Sequence, residues 1–275
     1  MNNNIIITIS TIVLIIIIIT ITIYYFINNT YTNISIIKSK TIQFYNKRNK
    51  EINIKTKVPL NVYMTWGELN IPNDMYDNIN YNITNNSEFD FYIYDNDKCR
   101  EFIIDNYDSD VLYAYDSLIP GAYKADLWRY CILYKKGGVY IDIKYKIVSK
   151  LLKIVQKYPI CFVKDRYSNW VYNGIMIAPP ELHVFKLAIN KIVQNVKNKY
   201  YGTTPLEPTG PKLLGSILEK NYDIPFALIF TGNSVVDYDD NIIYEIYSTY
   251  RIEQLKFQKT QHYDKLWREK NIYLQ

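Results

Sequence analysis

Between Ile119 and Leu151 the chain reads IPGAYKADLWRYCILYKKGGVYIDIKYKIVSKL. Pro120 suits the start of a helix and Gly137-Gly138 its end. Between them Asp126, Arg129, Tyr130 and Leu133 recur at three- and four-residue steps along one stripe, and Leu127, Cys131 and Tyr134 form another. The run Val139–Ile143, VYIDI, has the composition of a buried strand broken near its end by a carboxylate. A helix that hands over to a buried strand in this way is a unit of an α/β layer. Carrying both a polar pair and an apolar stripe, it is expected to put one face on the core and one edge on a cleft.

Asp142 is the residue in this unit with a chemical consequence. A carboxylate at the end of a buried strand is costly unless it meets a cation, a ligand or a proton. Oxygen donors of this type suit Mg²⁺ or Mn²⁺, which can bridge a diphosphate. The same residue could equally be a strand-end aspartate satisfied by a loop amide. Asp126 and Arg129, three apart, also fit an ordinary surface ion pair worth a few tenths of a kcal/mol.

Apolar runs set the remaining elements. Strands are expected at Val58–Trp66, Phe89–Tyr94, Ile160–Val163, Trp170–Ile177, Phe226–Phe230 and Ile242–Ile246. Helices are expected at Asp97–Asp105, Leu151–Lys157, Glu181–Lys199 and Lys212–Glu219. Strands alternating with helices argue for an α/β domain with a mostly parallel sheet over residues 58–275. Thr65, Trp66 and Gly67 would lie at the carboxyl end of its first strand, where open α/β sheets bind ligands.

The N-terminal part is of a different kind. No charged side chain precedes Lys38, and Ile5–Ile27 is a 23-residue apolar run. As a helix it would be roughly 34 Å long, enough for a hydrocarbon core of about 30 Å. Residues 1–28 therefore read as an uncleaved single-pass membrane anchor, with a signal peptide as the competing reading. The basic residues from Lys38 onward would hold the following domain in the cytosol, whereas sequons at Asn28, Asn33, Asn82 and Asn85 would suit the lumen. Residues 29–57 are polar and basic and read as a stem or linker.

Several classes of activity lack their signatures. The chain has no GxGxxG, P-loop, HExxH or GxSxG, and His183 and His262 are its only histidines. Cys99, Cys131 and Cys161 form no CxxC pair and sit in or beside apolar segments, so buried free thiols are expected. The net charge of +5 is spread along the chain, which is not a nucleic-acid signature.

Taken together, VPLNVYMTWG (58–67), FDFYIYDND (89–97), the 119–144 stretch and YNGIMIAPP (172–180) resemble glycosyltransferase family 32, the DxD-containing enzymes related to an initiating α-1,6-mannosyltransferase and to capsular sugar transferases. The most specific element is ADLWRY followed by GGVYID; the TGP at Thr209–Pro211 is a weaker match. The resemblance implies a GT-A fold, a nucleotide-sugar donor, a glycan or glycoprotein acceptor, a divalent metal (Mn²⁺ or Mg²⁺) and retention of anomeric configuration. Carried over residue by residue, Thr65 and Trp66 would line the nucleotide pocket. Asp126 and Arg129 would bind the donor, Asp142 would be the first carboxylate of DxD, and Asn173-Gly174 would lie on the acceptor side. His262 would be an extra metal or phosphate contact.

Lys144 departs from the pattern, which would have a second aspartate there. A protonated lysine ligates no metal and repels one. Three readings stay open: a metal held with help from elsewhere, Lys144 itself neutralising the leaving diphosphate, or a membrane-tethered nucleotide-sugar-binding module without transfer activity.

Overall fold

Parallel and antiparallel pairings meet in one ten-stranded sheet, and the cavity opens at the carboxyl ends of its parallel part. A computed structural model describes residues 15–22, 38–49, 56–165, 170–221, 226–257 and 259–274. The chain divides into two units, Met1–Lys38 and Ser39–Gln275. Of the first, residues 15–22 form a helix (α1) with exposed isoleucines. The rest of the expected Ile5–Ile27 anchor lies outside the described residues. No helix among the described residues is long and apolar enough to cross a membrane.

In the second unit, β1 (Ser39–Thr41), β2 (Tyr45–Asn46), β3 (Asn61–Thr65) and β4 (Asn70–Pro72) lead into α2 (Asn73–Asn85) and β5 (Asp90–Tyr94). Next come α3 (Asn96–Asn106), α4 (Ser109–Ser117), α5 (Gly121–Lys136), β6 (Gly138–Ile141) and β7 (Tyr145–Ile147). Then follow α6 (Leu151–Lys157), β8 (Cys161–Lys164), β9 (Val171–Ala178), α7 (His183–Lys197) and α8 (Pro211–Asn221). The last are β10 (Leu228–Phe230), β11 (Ser234–Val236), β12 (Ile242–Ile246), α9 (Tyr250–Phe257) and α10 (Tyr263–Arg268). The sheet order is β2-β5-β3-β6-β9-β8-β10-β11-β12-β7, and β1 pairs with β4 apart from it.

The sheet is mixed, which corrects the expectation of a mostly parallel one. Among the described residues only β5–β3, β3–β6 and β10–β8 run parallel. The hairpin-like returns β9, β11 and β12 are antiparallel to their neighbours. Residues 39–49, which read as stem, also belong to the folded unit. Tyr45 and Asn46 extend the sheet alongside β5, and Arg48 grips Asp90 through Nε at 3.0 Å and its backbone N–H at 2.7 Å.

Strand alternation sorts the core onto two faces. Val62, Met64, Val139, Ile141, Ile175 and Ile177 pack with α2 and α6 residues on one side. Tyr63, Tyr140, Met176 and Ala178 face α5 and α7 on the other. There α5 is buried along most of its length, with Leu127, Trp128, Tyr130, Cys131 and Ile132 all inaccessible. Helix α7 covers one side of α5, with Tyr130 stacked on Phe185, while Asp126 and Arg129 give α5 the edge on a cleft that was expected. The three cysteines are free and buried, as expected.

Two glycines make the passage from α5 to β6. Gly137 has φ +61° and caps the helix through its N–H to Leu133 O at 2.9 Å; Gly138 has φ +105°. A Cβ on Gly137 would lie 2.5 Å from Pro180 N, and one on Gly138 2.7 Å from Asn61 O. Both positions thus exclude a side chain by conformation and by space.

Candidate active site

The carboxyl ends of β3, β5 and β6 open into a cavity of about 600 Å³. This is where an open α/β sheet offers strand-end groups to a ligand. Thr65 and Trp66 line it from the end of β3, Asn96 from the start of α3, and Asp142, Ile143 and Lys144 from the exit of β6. Asp126 and Arg129 reach it from α5, Asn173 and Gly174 from β9, and Tyr250 and His262 from α9 and the cap of α10. Every candidate residue named from sequence therefore borders one space.

Its centre is a charge network. Asp142 Oδ2 accepts from Lys144 Nζ at 2.8 Å, and Oδ1 accepts from the Tyr140 hydroxyl at 2.9 Å. Arg129 Nη1 lies 3.4 Å from Asp142 Oδ1, and Arg129 Nη2 3.5 Å from Asp126 Oδ1. Burial alone would raise the Asp142 pKa, but Lys144 and Arg129 more than offset it and hold the carboxyl below its ordinary value. At Asp126 burial prevails, and the pKa is raised despite Arg129, Thr209 and Asn173. For Lys144 burial would lower the pKa, yet Asp142 turns the shift upward and keeps the ammonium charged.

Neutral donors complete the frame. Asp126 accepts from Thr209 Oγ1 at 2.7 Å and from Asn173 Nδ2 at 2.8 Å. The Asn173 carbonyl accepts from Arg129 Nη1 at 2.7 Å, and its amide also donates to the Tyr130 hydroxyl. Asn173 thus ties β9 to α5 and is 6% exposed, so its amide is committed to the protein rather than offered to an acceptor. The Arg129 guanidinium lies 4.5 Å from the centre of the Tyr140 ring. Gly174 lets Asp142 approach β9: a Cβ there would stand 2.7 Å from Asp142 Oδ2, while the Asp142 N–H donates to Gly174 O.

Three predicted residues sit at the edge of this network. The Thr65 hydroxyl donates to Tyr94 O at 3.0 Å, and Trp66 is half-buried with an accessible face at the cavity. His262 is exposed and caps α10, its Nδ1 accepting from the Asp264 N–H at 3.3 Å. Sequence reasoning missed Tyr140, Tyr172 and Thr209. With 29 tyrosines in the chain, Tyr140 and Tyr172 carried no signal; Thr209 had one, in the TGP match.

Residues 72–161 match the family model described as the glycosyltransferase sugar-binding region containing a DXD motif. This region of the chain is therefore similar to the DXD-containing glycosyltransferases. The chain is 27% identical over 165 residues to inositol phosphoceramide mannosyltransferase 2 of Schizosaccharomyces pombe, covering 59% of this chain and 47% of that one. It is 30% identical over 139 residues to an uncharacterized glycosyltransferase of Acanthamoeba polyphaga mimivirus, covering 46% and 53%. The chain thus spans about half the length of the curated relatives it matches. Among solved structures, it is similar to the PaToxG glycosyltransferase at a TM-score of 0.47 and 16% identity, over 59% of this chain and 69% of that one.

The DXD motif named in that family's description raises the question of a divalent metal, and the residues of this site do not fit one. Asp142 has both oxygens engaged by Tyr140, Arg129 and Lys144. A dication bridging a diphosphate still needs at least one protein carboxylate with an oxygen free to receive it. Among the described residues no group of three His, Cys, Asp or Glu is placed to hold a metal ion. A dication about 4 Å from one ammonium is repelled by about 8 kcal/mol at an effective dielectric of about 20, and the Asp142 carboxylate has two such cations beside it.

Proposed function

We propose that this chain transfers a hexose from a nucleotide diphosphate sugar to a glycan or protein acceptor, with retention at the anomeric carbon. The observation that carries the reading is the meeting of Asp126, Arg129 and Asp142 in one cavity beside Trp66. In this reading the base lies against Trp66 and the diphosphate near Arg129. Breaking the donor C1–O bond sends its electron pair to the diphosphate oxygen. The acceptor hydroxyl oxygen bonds to C1 on the face the leaving group vacates, and its proton passes to a diphosphate oxygen. A fixed guanidinium stabilises the charge that develops there without reorganising. The name of one relative, an inositol phosphoceramide mannosyltransferase, makes a mannosyl donor the first to try.

Hydrolysis of GDP-mannose and UDP-hexoses, followed by NMR of the released sugar, tests this. The expected result is turnover with α-configured product, falling by at least about a hundredfold in Asp142→Ala. Tight nucleotide binding without turnover of any donor would instead establish the non-catalytic module.

The Ile5–Ile27 run supports a membrane anchor as part of the same proposal. Expressed in cells, the chain should sediment with membranes and resist alkaline extraction. Removal of residues 1–28 should release it, and a chain already soluble before that removal would refute the anchor.

A further inference from the structure

Lys144 stands where the family resemblance would put the second DxD aspartate, and it is built into the cavity wall. Its side chain is 17% exposed. The ammonium lies 2.8 Å from Asp142 Oδ2 and 5.4 Å from the ring centres of both Tyr145 and Tyr172. Those rings are themselves fixed: their hydroxyls are 2.8 Å apart, and Tyr172 stacks on Phe230 at 4.0 Å. A loose surface lysine has no such frame, and the entropy cost of holding this one is offset by its ion pair with Asp142. Of its three N–H donors, Asp142 takes one, so the ammonium retains capacity for an anion in the cavity it lines.

The charges of the site point the same way. Asp142 is flanked by two cations, Lys144 and Arg129, while Asp126 is satisfied by Thr209, Asn173 and Arg129. An incoming diphosphate meets two positive groups already in position. An incoming dication meets one carboxylate whose oxygens are both engaged.

We propose that Lys144, positioned by Asp142, is the cation that receives the donor's diphosphate, so that nucleotide diphosphate binding in this site is independent of a divalent metal. The proposal rests on the nucleotide-sugar reading above. Asp142 is then a positioning residue for Lys144 and not a metal ligand. The ammonium supplies at the leaving oxygen the positive charge that a metal supplies elsewhere.

Calorimetric titration of GDP and UDP into the 275-residue chain in detergent, once with EDTA and once with Mn²⁺, tests it. Wild-type affinity should agree within about twofold between the two conditions. Lys144→Gln should weaken binding by about tenfold or more in EDTA, the loss of one charge-assisted contact. Lys144→Arg, which keeps the charge, should remain within about threefold of wild type. Lys144→Asp, which restores the carboxylate pair, should bind poorly in EDTA and recover with Mn²⁺. Circular dichroism of each variant separates lost binding from lost folding. Wild-type binding that disappears in EDTA and returns with Mn²⁺ overturns this proposal alone. So does a folded Lys144→Gln that titrates like wild type. Absence of wild-type binding in both conditions overturns the nucleotide-sugar reading together with it.

Discussion

Asp126 and Asp142 share Arg129 yet respond to it in opposite ways. Asp142 has a second cation in Lys144, so its carboxyl is held below the ordinary value. Asp126 has neutral donors for its remaining contacts, and burial raises it. The signs for stability follow. A depressed carboxyl stabilises the fold above its unfolded pKa, and this is lost as pH falls through the folded value. A raised carboxyl stabilises below its unfolded pKa, and this is lost as pH rises through the folded value. Thermal unfolding from about pH 7 to about pH 3, across the ordinary carboxylate range, should separate the two. The advantage of wild type over Asp142→Asn should shrink on acidification, and its advantage over Asp126→Asn should grow. Parallel slopes for the two variants would contradict the assignment. Asp142 drew notice in sequence as a carboxylate in an apolar strand, whereas Asp126 and Arg129, which also fit an ordinary surface pair, were singled out only through the family resemblance. The commitment of Asn173 to Asp126 was not legible, since a buried asparagine looks like any other in an Asn-rich chain.

At the scale of elements, α2 shows how distant chain segments brace the cavity. Its first turn follows Pro72 and has no local side-chain cap. The exposed donors of a helix start need partners, and Glu253 of α9 supplies them. Its oxygens accept from the Asp74 N–H at 3.2 Å and the Met75 N–H at 3.1 Å, and the Tyr247 hydroxyl adds a bond at 2.8 Å. Glu253 is 4% exposed, and burial raises its pKa. The neighbouring α9 residues Tyr250 and Arg251 line the cavity, so this cap also fixes the cavity wall. Glu253→Ala should lower the unfolding free energy by about 1–2 kcal/mol, the usual cost of a lost N-cap, as read by urea denaturation. An unchanged midpoint would show that water caps α2 equally well. Nothing in the sequence announces a helix capped from nearly two hundred residues away, since the capping patterns visible in sequence are local.

For the whole molecule, apolar runs located β3, β5, β6, β8, β9, β10 and β12 closely, while strand direction was misread as mostly parallel. A buried run such as VYNGIMIA, Val171–Ala178, has the same composition whether it lies parallel or antiparallel to β6. The β1 and β2 strands, SKT and YN, are too short and polar to show a period. The glycine pair at Gly137-Gly138 was read as a helix stop, and its packing gives it a larger part. Pinned between Pro180 and Asn61, it is the zero mark of a ruler. Four residues of strand, about 13 Å at 3.3 Å each, carry the chain from that mark to Asp142. Parity along the ruler sends Tyr140 and Asp142 toward Arg129, and Val139, Ile141 and Ile143 into the opposite core. One residue more or fewer in that interval would exchange the two sets. The aim of the charged group is thus a matter of counting from a fixed stop, set at the far end of the strand from the cavity it serves.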